Sequence, residues 1–140
     1  MDCYPEYHYV VIDYIQRVKG CVDFESLSAA SGIFQAHARE TGKSLIICSQ
    51  ASRSSVSDAK GDENRKNNII DPTKLKGKGS GSLEEDADVG LTLLELKEDN
   101  KKFILMTLFK NRYDSKKNIT YKYSLDERLN FKLIQRYIEC

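Results

Sequence analysis

Apolar and polar residues alternate along this chain in two different rhythms, and the switch between them marks its elements. Tyr9–Gln16, reading Tyr-Val-Val-Ile-Asp-Tyr-Ile-Gln, is a short β-branched run that stops at an aspartate. A buried parallel strand with a carboxylate at its end has this form. Asp23 then stands where a helix N-cap is needed, and Phe24, Leu27, Ala30, Phe34 and Ala38 recur at three- and four-residue steps, predicting a helix to about Glu40. Gly42 supplies its stop. Ser44–Gln50 is a second apolar run with a polar end, so a βαβ unit with a right-handed crossover is expected.

From Ala51 to Ser82 the rhythm disappears. Ser, Lys, Asn, Gly and Asp dominate and the only apolar island is Ile69-Ile70, which predicts a long flexible loop. Leu83–Asp88 can form an acidic helical turn. Val89–Glu95 predicts a third strand and Phe103–Phe109 a fourth. Ile119–Tyr123 returns as a hairpin partner, Leu129–Ile134 adds a last short strand, and Gln135–Cys140 is expected to be a tail or frayed helix.

At 140 residues one core and one domain are the expectation, with positions 51–82 as a loop region and 103–134 as the C-terminal hairpin and strand. The composition, 40% hydrophobic and 31% charged, is that of a globular chain, and no apolar run is long enough to cross a bilayer. With a net charge of +1, any polyanion must be bound by local clusters of charge. Cys3, Cys21, Cys48 and Cys140 form no CxxC pair and have no histidine at metal spacing, so free thiols and a cytoplasmic location are expected. His8 and His37 stand apart from any nucleophile, which argues against histidine catalysis.

Three constellations can carry chemistry. Adjacent parallel strands would bring Asp13 and Gln50 to the same edge of a sheet, where open α/β folds bind ligands. Such an aspartate can orient a nucleotide's magnesium, and a glutamine amide can sense phosphate or position water; strand-end capping is the bland alternative. Lys74–Ser82 intersperses Lys76 and Lys78 with Gly77, Gly79 and Gly81 before a helix start, which suits phosphate contacts along a single strand. A solvated linker explains the same composition. Lys110 and Arg112 lie at alternate positions near a strand end and can point to one side, toward a phosphate or simply toward solvent at a protected sheet edge.

Taken in order, VVIDYIQ at 10–16, SLIICSQASRS at 44–54, GSGSLEEDADV at 79–89 and KNR at 110–112 resemble the RecA-like motor domain of DnaB-family replicative helicases. The resemblance runs from about Tyr9 to Phe131. It implies an α/β fold that is part of a RecA-like P-loop NTPase core, with parallel strands plus a C-terminal antiparallel hairpin. It further implies Asp13 as the magnesium-directing carboxylate and Gln50 as the residue coupling nucleotide to DNA. Lys110 and Arg112 become a finger reaching the phosphate held by the next subunit of a ring. Arg53, Lys76, Lys78, Gly79, Ser80, Gly81 and Ser82 become the surface met by single-stranded DNA.

The family's Walker A loop and catalytic glutamate are not among these residues. Lys78-Gly79 stand where the family carries Arg-Glu, and Tyr113–Lys116 where it carries Gly-Pro-Thr-Gly. The resemblance thus implies the distal half of a helicase motor, an expressed fragment or a truncated gene product. ATP and Mg2+ would serve the complete family protein, and neither is expected to bind this chain tightly. Single-stranded DNA, ring neighbours or further copies of the chain are the expected partners, and membrane is not. The alternatives are a non-catalytic module that binds single-stranded nucleic acid or a helicase ring, and a recombinase-like or circadian-clock-type RecA relative.

Overall fold

The computed structural model describes residues 7–60, 71–76, 81–99, 101–115 and 118–138. They form a mixed α/β structure with a two-stranded parallel sheet and a four-stranded antiparallel sheet. The chain divides into two compact units, one of residues 1–52 and 76–87, the other of 53–75 and 88–140.

The first unit is built on β1 (Tyr9–Ile12) and β2 (Ser44–Ile47), paired in parallel from Tyr9↔Ser44 to Ile12↔Ile47. Both strands are shorter than their apolar runs. Ile15–Arg17 close into a 3-10 turn rather than extending β1, and Cys48–Gln50 leave β2. Between the strands runs α1 (Phe24–Thr41). The Asp23 carboxylate accepts from the Ser26 amide at 2.9 Å, and the Ser26 hydroxyl accepts from the Asp23 amide at 3.1 Å. Two helix-end donors are satisfied by this reciprocal pair. Gly42 ends the helix in the left-handed region, φ +67°, where a Cβ is disfavoured.

Leu27, Ile15 and Cys21 form the buried cluster of this unit, joined by Ala30, Phe34, Ile47 and Leu83. Phe24, expected on the same apolar face, is instead 59% exposed. The buried position on the next turn is Ser31, which can go under because its hydroxyl donates to Asp86 Oδ2 at 2.6 Å. A short helix, α3 (Ser82–Asp86), occupies the expected acidic turn.

The second unit begins where a long loop was expected, with α2 (Arg53–Lys60). Its inner side is Ser55, Val56 and Ala59, small side chains with little hydrophobic signal, yet Ser55 and Ala59 are buried at 5% and 0% exposure. After a 3-10 turn at Pro72–Lys74 comes buried Leu75. Then β3 (Val89–Glu98), β4 (Lys101–Asn111), β5 (Ile119–Leu125) and β6 (Phe131–Ile138) follow as an antiparallel meander in sheet order β3-β4-β5-β6. The four expected strand segments thus form one antiparallel sheet, with β3 added to the expected hairpin and last strand.

Residues 135–138, expected as a tail or frayed helix, continue β6. A register shift opposite Lys122/Tyr123 breaks the two-residue period and hides the continuation of the expected strand in the sequence. A second irregularity lies between Gly90 and Leu91, where a side chain on Gly90 would collide with the Phe109 ring. The core joins Ala59 and Leu75 to Leu94, Leu96 and Leu105, with Val56 and Phe103 packed against them. On the same face of the sheet as Leu105 the Thr107 and Thr120 hydroxyls pair at 2.8 Å, Thr107 being fully buried.

Candidate functional site

The carboxyl ends of β1 and β2 are tied together by backbone and side-chain hydrogen bonds. The Cys48 amide donates to the Ile12 carbonyl at 2.9 Å and the Ile15 amide to the Cys48 carbonyl at 3.0 Å, so the parallel ladder continues past both strands. Gln16 then spans the gap with its side chain. Its Nε2 donates to the Ser49 hydroxyl at 2.9 Å and its Oε1 accepts from the Gln50 amide at 3.3 Å. Asp13 and Gln50 therefore both emerge at the carboxyl end of the same parallel pair, exposed, as the hydrophobic pattern predicts. The peptide between Asp13 and Tyr14 is cis.

Gln16 closes the first apolar run, and sequence reasoning assigns it no role of its own. It emerges as the positioning residue of this edge, and its only sequence signal is a polar residue immediately after buried Ile15.

The chemistry available at this edge is limited and definite. An exposed carboxylate can accept hydrogen bonds from metal-bound waters, and an amide offers both donor and acceptor. Magnesium commonly takes one or two protein carboxylates and keeps several waters, and Asp13 offers one such carboxylate here. Among the described residues no group of three or more His, Cys, Asp or Glu side chains could hold an ion unaided. A nucleotide triphosphate would need a cradle of backbone amides that opens a helix; the Gly-Lys-Ser at 42–44 instead ends α1 and begins β2, and His37 stands where a P-loop carries its first glycine.

Around α3 the residues of the Gly79–Val89 run have local tasks. The Ser82 hydroxyl donates to Ser28 Oγ at 2.8 Å, and Gln35 Nε2 donates to the Asp86 carbonyl at 2.8 Å. Together with the Ser31–Asp86 bond and Leu83 in the cluster, these contacts fasten α3 to α1. Gly81 precedes the first turn, and its carbonyl accepts from the Glu84 and Glu85 amides, each at 3.1 Å. Lys76 is exposed, and its carbonyl accepts from the Ser52 amide at 2.9 Å. Lys78, Gly79 and Ser80 lie outside the described residues.

The remaining candidates belong to the second unit. Arg53 is the exposed first residue of α2. Lys110, half-buried on β4, pairs with Gly90 in the ladder. Arg112 follows β4, its amide donating to the Asp88 carbonyl at 2.8 Å and its guanidinium forming an ion pair with the Asp88 carboxylate. The last aspartate of the acidic run thus anchors the start of β3 to the end of β4. Asp13 and Gln50 share one unit; Arg53, Lys110 and Arg112 share the other.

Cys21 is buried and Cys48 exposed, both as free thiols. No described helix is long and apolar enough to cross a membrane. A scan against protein-family models finds no match, and no curated protein matches the chain.

Proposed function

We propose that this chain is the distal half of a RecA-like helicase motor of the DnaB type, contributing the magnesium-directing edge and a single-stranded DNA loop to an ATP-driven translocase. The observation that carries this reading is the parallel pairing of β1 with β2, after which Asp13 and Gln50 both leave at the same carboxyl edge. The order of the four sequence runs supports it as well.

Asp13 would orient the waters of a bound magnesium, and Gln50, held from behind by Gln16, would transmit the state of that edge to the residues that follow β2. Lys76, Lys78 and Arg53 would meet the phosphates of the strand, with the Gly79–Ser82 turn allowing close approach. Lys110 and Arg112 would serve a phosphate bound by a neighbouring subunit. Hydrolysis itself needs a phosphate cradle and a base beyond these residues, so the chain alone is expected to be inactive toward ATP.

A second reading, a non-catalytic module on single-stranded nucleic acid, is favoured by one contact. The Arg112 guanidinium is already matched by Asp88, which gives it a role inside its own sheet.

Binding of a fluorescent oligothymidine across a salt series tests the shared part of both readings. Replacing Lys76 and Lys78 with alanine should weaken binding and flatten the log–log salt slope by about 1.4, roughly 0.7 for each phosphate left without its lysine. Unchanged affinity and slope would remove the DNA-loop assignment. Magnesium-dependent ATP turnover by the purified chain, abolished by Asp13→Asn, would overturn the half-motor reading.

A further inference from the structure

The β3–β6 sheet has two faces, and α2 and Leu75 pack on only one of them. Leu94, Leu96 and Leu105 point to that side. The alternate positions point away, and they too are apolar: Leu91 and Leu93 on β3, Met106 on β4, Tyr123 on β5, Leu133 and Phe131 on β6. Register makes them one surface, because Leu93 stands beside Met106 and Tyr123 beside Leu133. Leu91, Leu93, Phe131 and Leu133 are 55%, 63%, 60% and 53% exposed, values normal for one side chain but not for a contiguous group.

We propose that this face stacks on the same face of a second copy of the chain, giving a two-layered sandwich of eight strands. Size is the first argument. Four strands about 4.8 Å apart and roughly six residues long present a face on the order of 19 by 20 Å. Stacking it would bury roughly 600–800 Å² of accessible surface per copy, close to the ~800 Å² per partner of a standard stable interface.

Charge placement is the second argument, and it selects a copy of this chain over an unrelated apolar partner. Glu95 lies on this face at the β3 edge and Arg136 at the β6 edge, one residue pair apart along the strands. A two-fold axis parallel to the strands lays β3 of one copy over β6 of the other. Each Glu95 then meets an Arg136 of the second copy, and the contact occurs twice. In the single chain Glu95 is 3.9 Å from Lys102 and Arg136 lies 5.7 Å from the Tyr121 ring, exposed contacts that can give way to this pairing. The inference is independent of any nucleic-acid role.

Sedimentation velocity over a wide concentration range, with circular-dichroism melts as the folding control, tests it. The wild-type chain should shift reversibly from monomer to dimer. Leu133→Asp, at an exposed position, should keep its melt and raise the dissociation constant at least about thirtyfold, since it places a carboxylate on the apolar face in the row that meets Glu95 of the second copy. Glu95→Arg should weaken the dimer about tenfold, and Glu95→Arg with Arg136→Glu should recover most of that loss. A wild-type chain that stays monomeric at every concentration overturns the proposal and assigns the face to another occupant. A dimer indifferent to Leu133→Asp, or a double variant no better than the single one, also overturns it.

Discussion

In the β3–β6 sheet each strand pairs with the next along the chain, so the ladder closes through short turns and only two edges remain open. In the β1–β2 sheet the partners are separated by a whole helix, and both strands are edges. The antiparallel unit buries leucines from two strands, an alanine from a helix and a hydrogen-bonded threonine pair. The parallel unit centres on three buried residues, while Tyr9, Val11 and Ile46 on its sheet are 65%, 54% and 53% exposed. Parallel strands are usually covered on both faces. The comparison teaches that the candidate residues are divided by the kind of support they have: the unit with the fuller core carries Arg53, Lys110 and the ion-paired Arg112, and the sparser one carries the exposed Asp13–Gln50 edge.

The largest test of that contrast is a core truncation. Leu94→Ala or Leu105→Ala, at sites 3% and 7% exposed, should cost about 2–5 kcal/mol in urea unfolding. Ile46→Ala, on the bare face of the parallel sheet, should cost no more than about 0.5 kcal/mol. Equal losses would mean that Ile46 is covered in solution and the contrast fails.

Next in size is the buried hydroxyl pair. Thr107→Val leaves the Thr120 hydroxyl without its partner and should cost about 1–3 kcal/mol, part of which the double change Thr107→Val/Thr120→Val should return. No recovery in the double variant would show that packing, and not the bond, matters there.

Hydrogen exchange sharpens the comparison without mutation. The amides of Leu94 and Leu105 should exchange only on global opening, while those of Ile15 and Cys48, which tie the parallel ends, should exchange through smaller openings. The reverse order would make the candidate site the more rigid region.

The smallest effect is a pH dependence at the start of α1. The Ser26 hydroxyl, and then its amide, hold the Asp23 carboxyl below its ordinary value of 3.8. Because the folded value is depressed, the cap stabilises the chain above the ordinary value and loses its effect as pH falls through the folded one. Asp23→Ala should therefore lower the melting temperature at neutral pH, by a gap that narrows as pH falls below the ordinary carboxyl value. A gap that persists in acid would assign the stabilisation to something other than the carboxylate.

Much of this architecture is legible because its signals are local. Asp23 and Gly42 bracket α1 by capping chemistry that needs only neighbours in sequence. The alternation in Val89–Glu95 and Phe103–Phe109 reports a sheet that is covered more fully on one face. The two apolar runs that end at Asp13 and Gln50 suffice to bring those residues to one edge once the strands pair in parallel. Where burial depends on small polar side chains, the signal fails. Helix α2 hides Ser55 and Ala59 in a stretch that reads as loop, and the irregularity in β6 masks the strand that Gln135–Ile138 continue.

The sequence by itself determined where the chain turns, which faces of its elements are apolar, and that an aspartate and a glutamine follow two strands. Those are properties of neighbouring residues, set by sterics, capping and period. Tertiary structure alone decided that Asp86 is held by Ser31 and Gln35, that Asp88 binds Arg112, and that Gln16 bridges to Ser49 and Gln50. Each of these pairs joins residues far apart in the chain, and which distant polar groups become partners depends on the packing that brings them within hydrogen-bond reach.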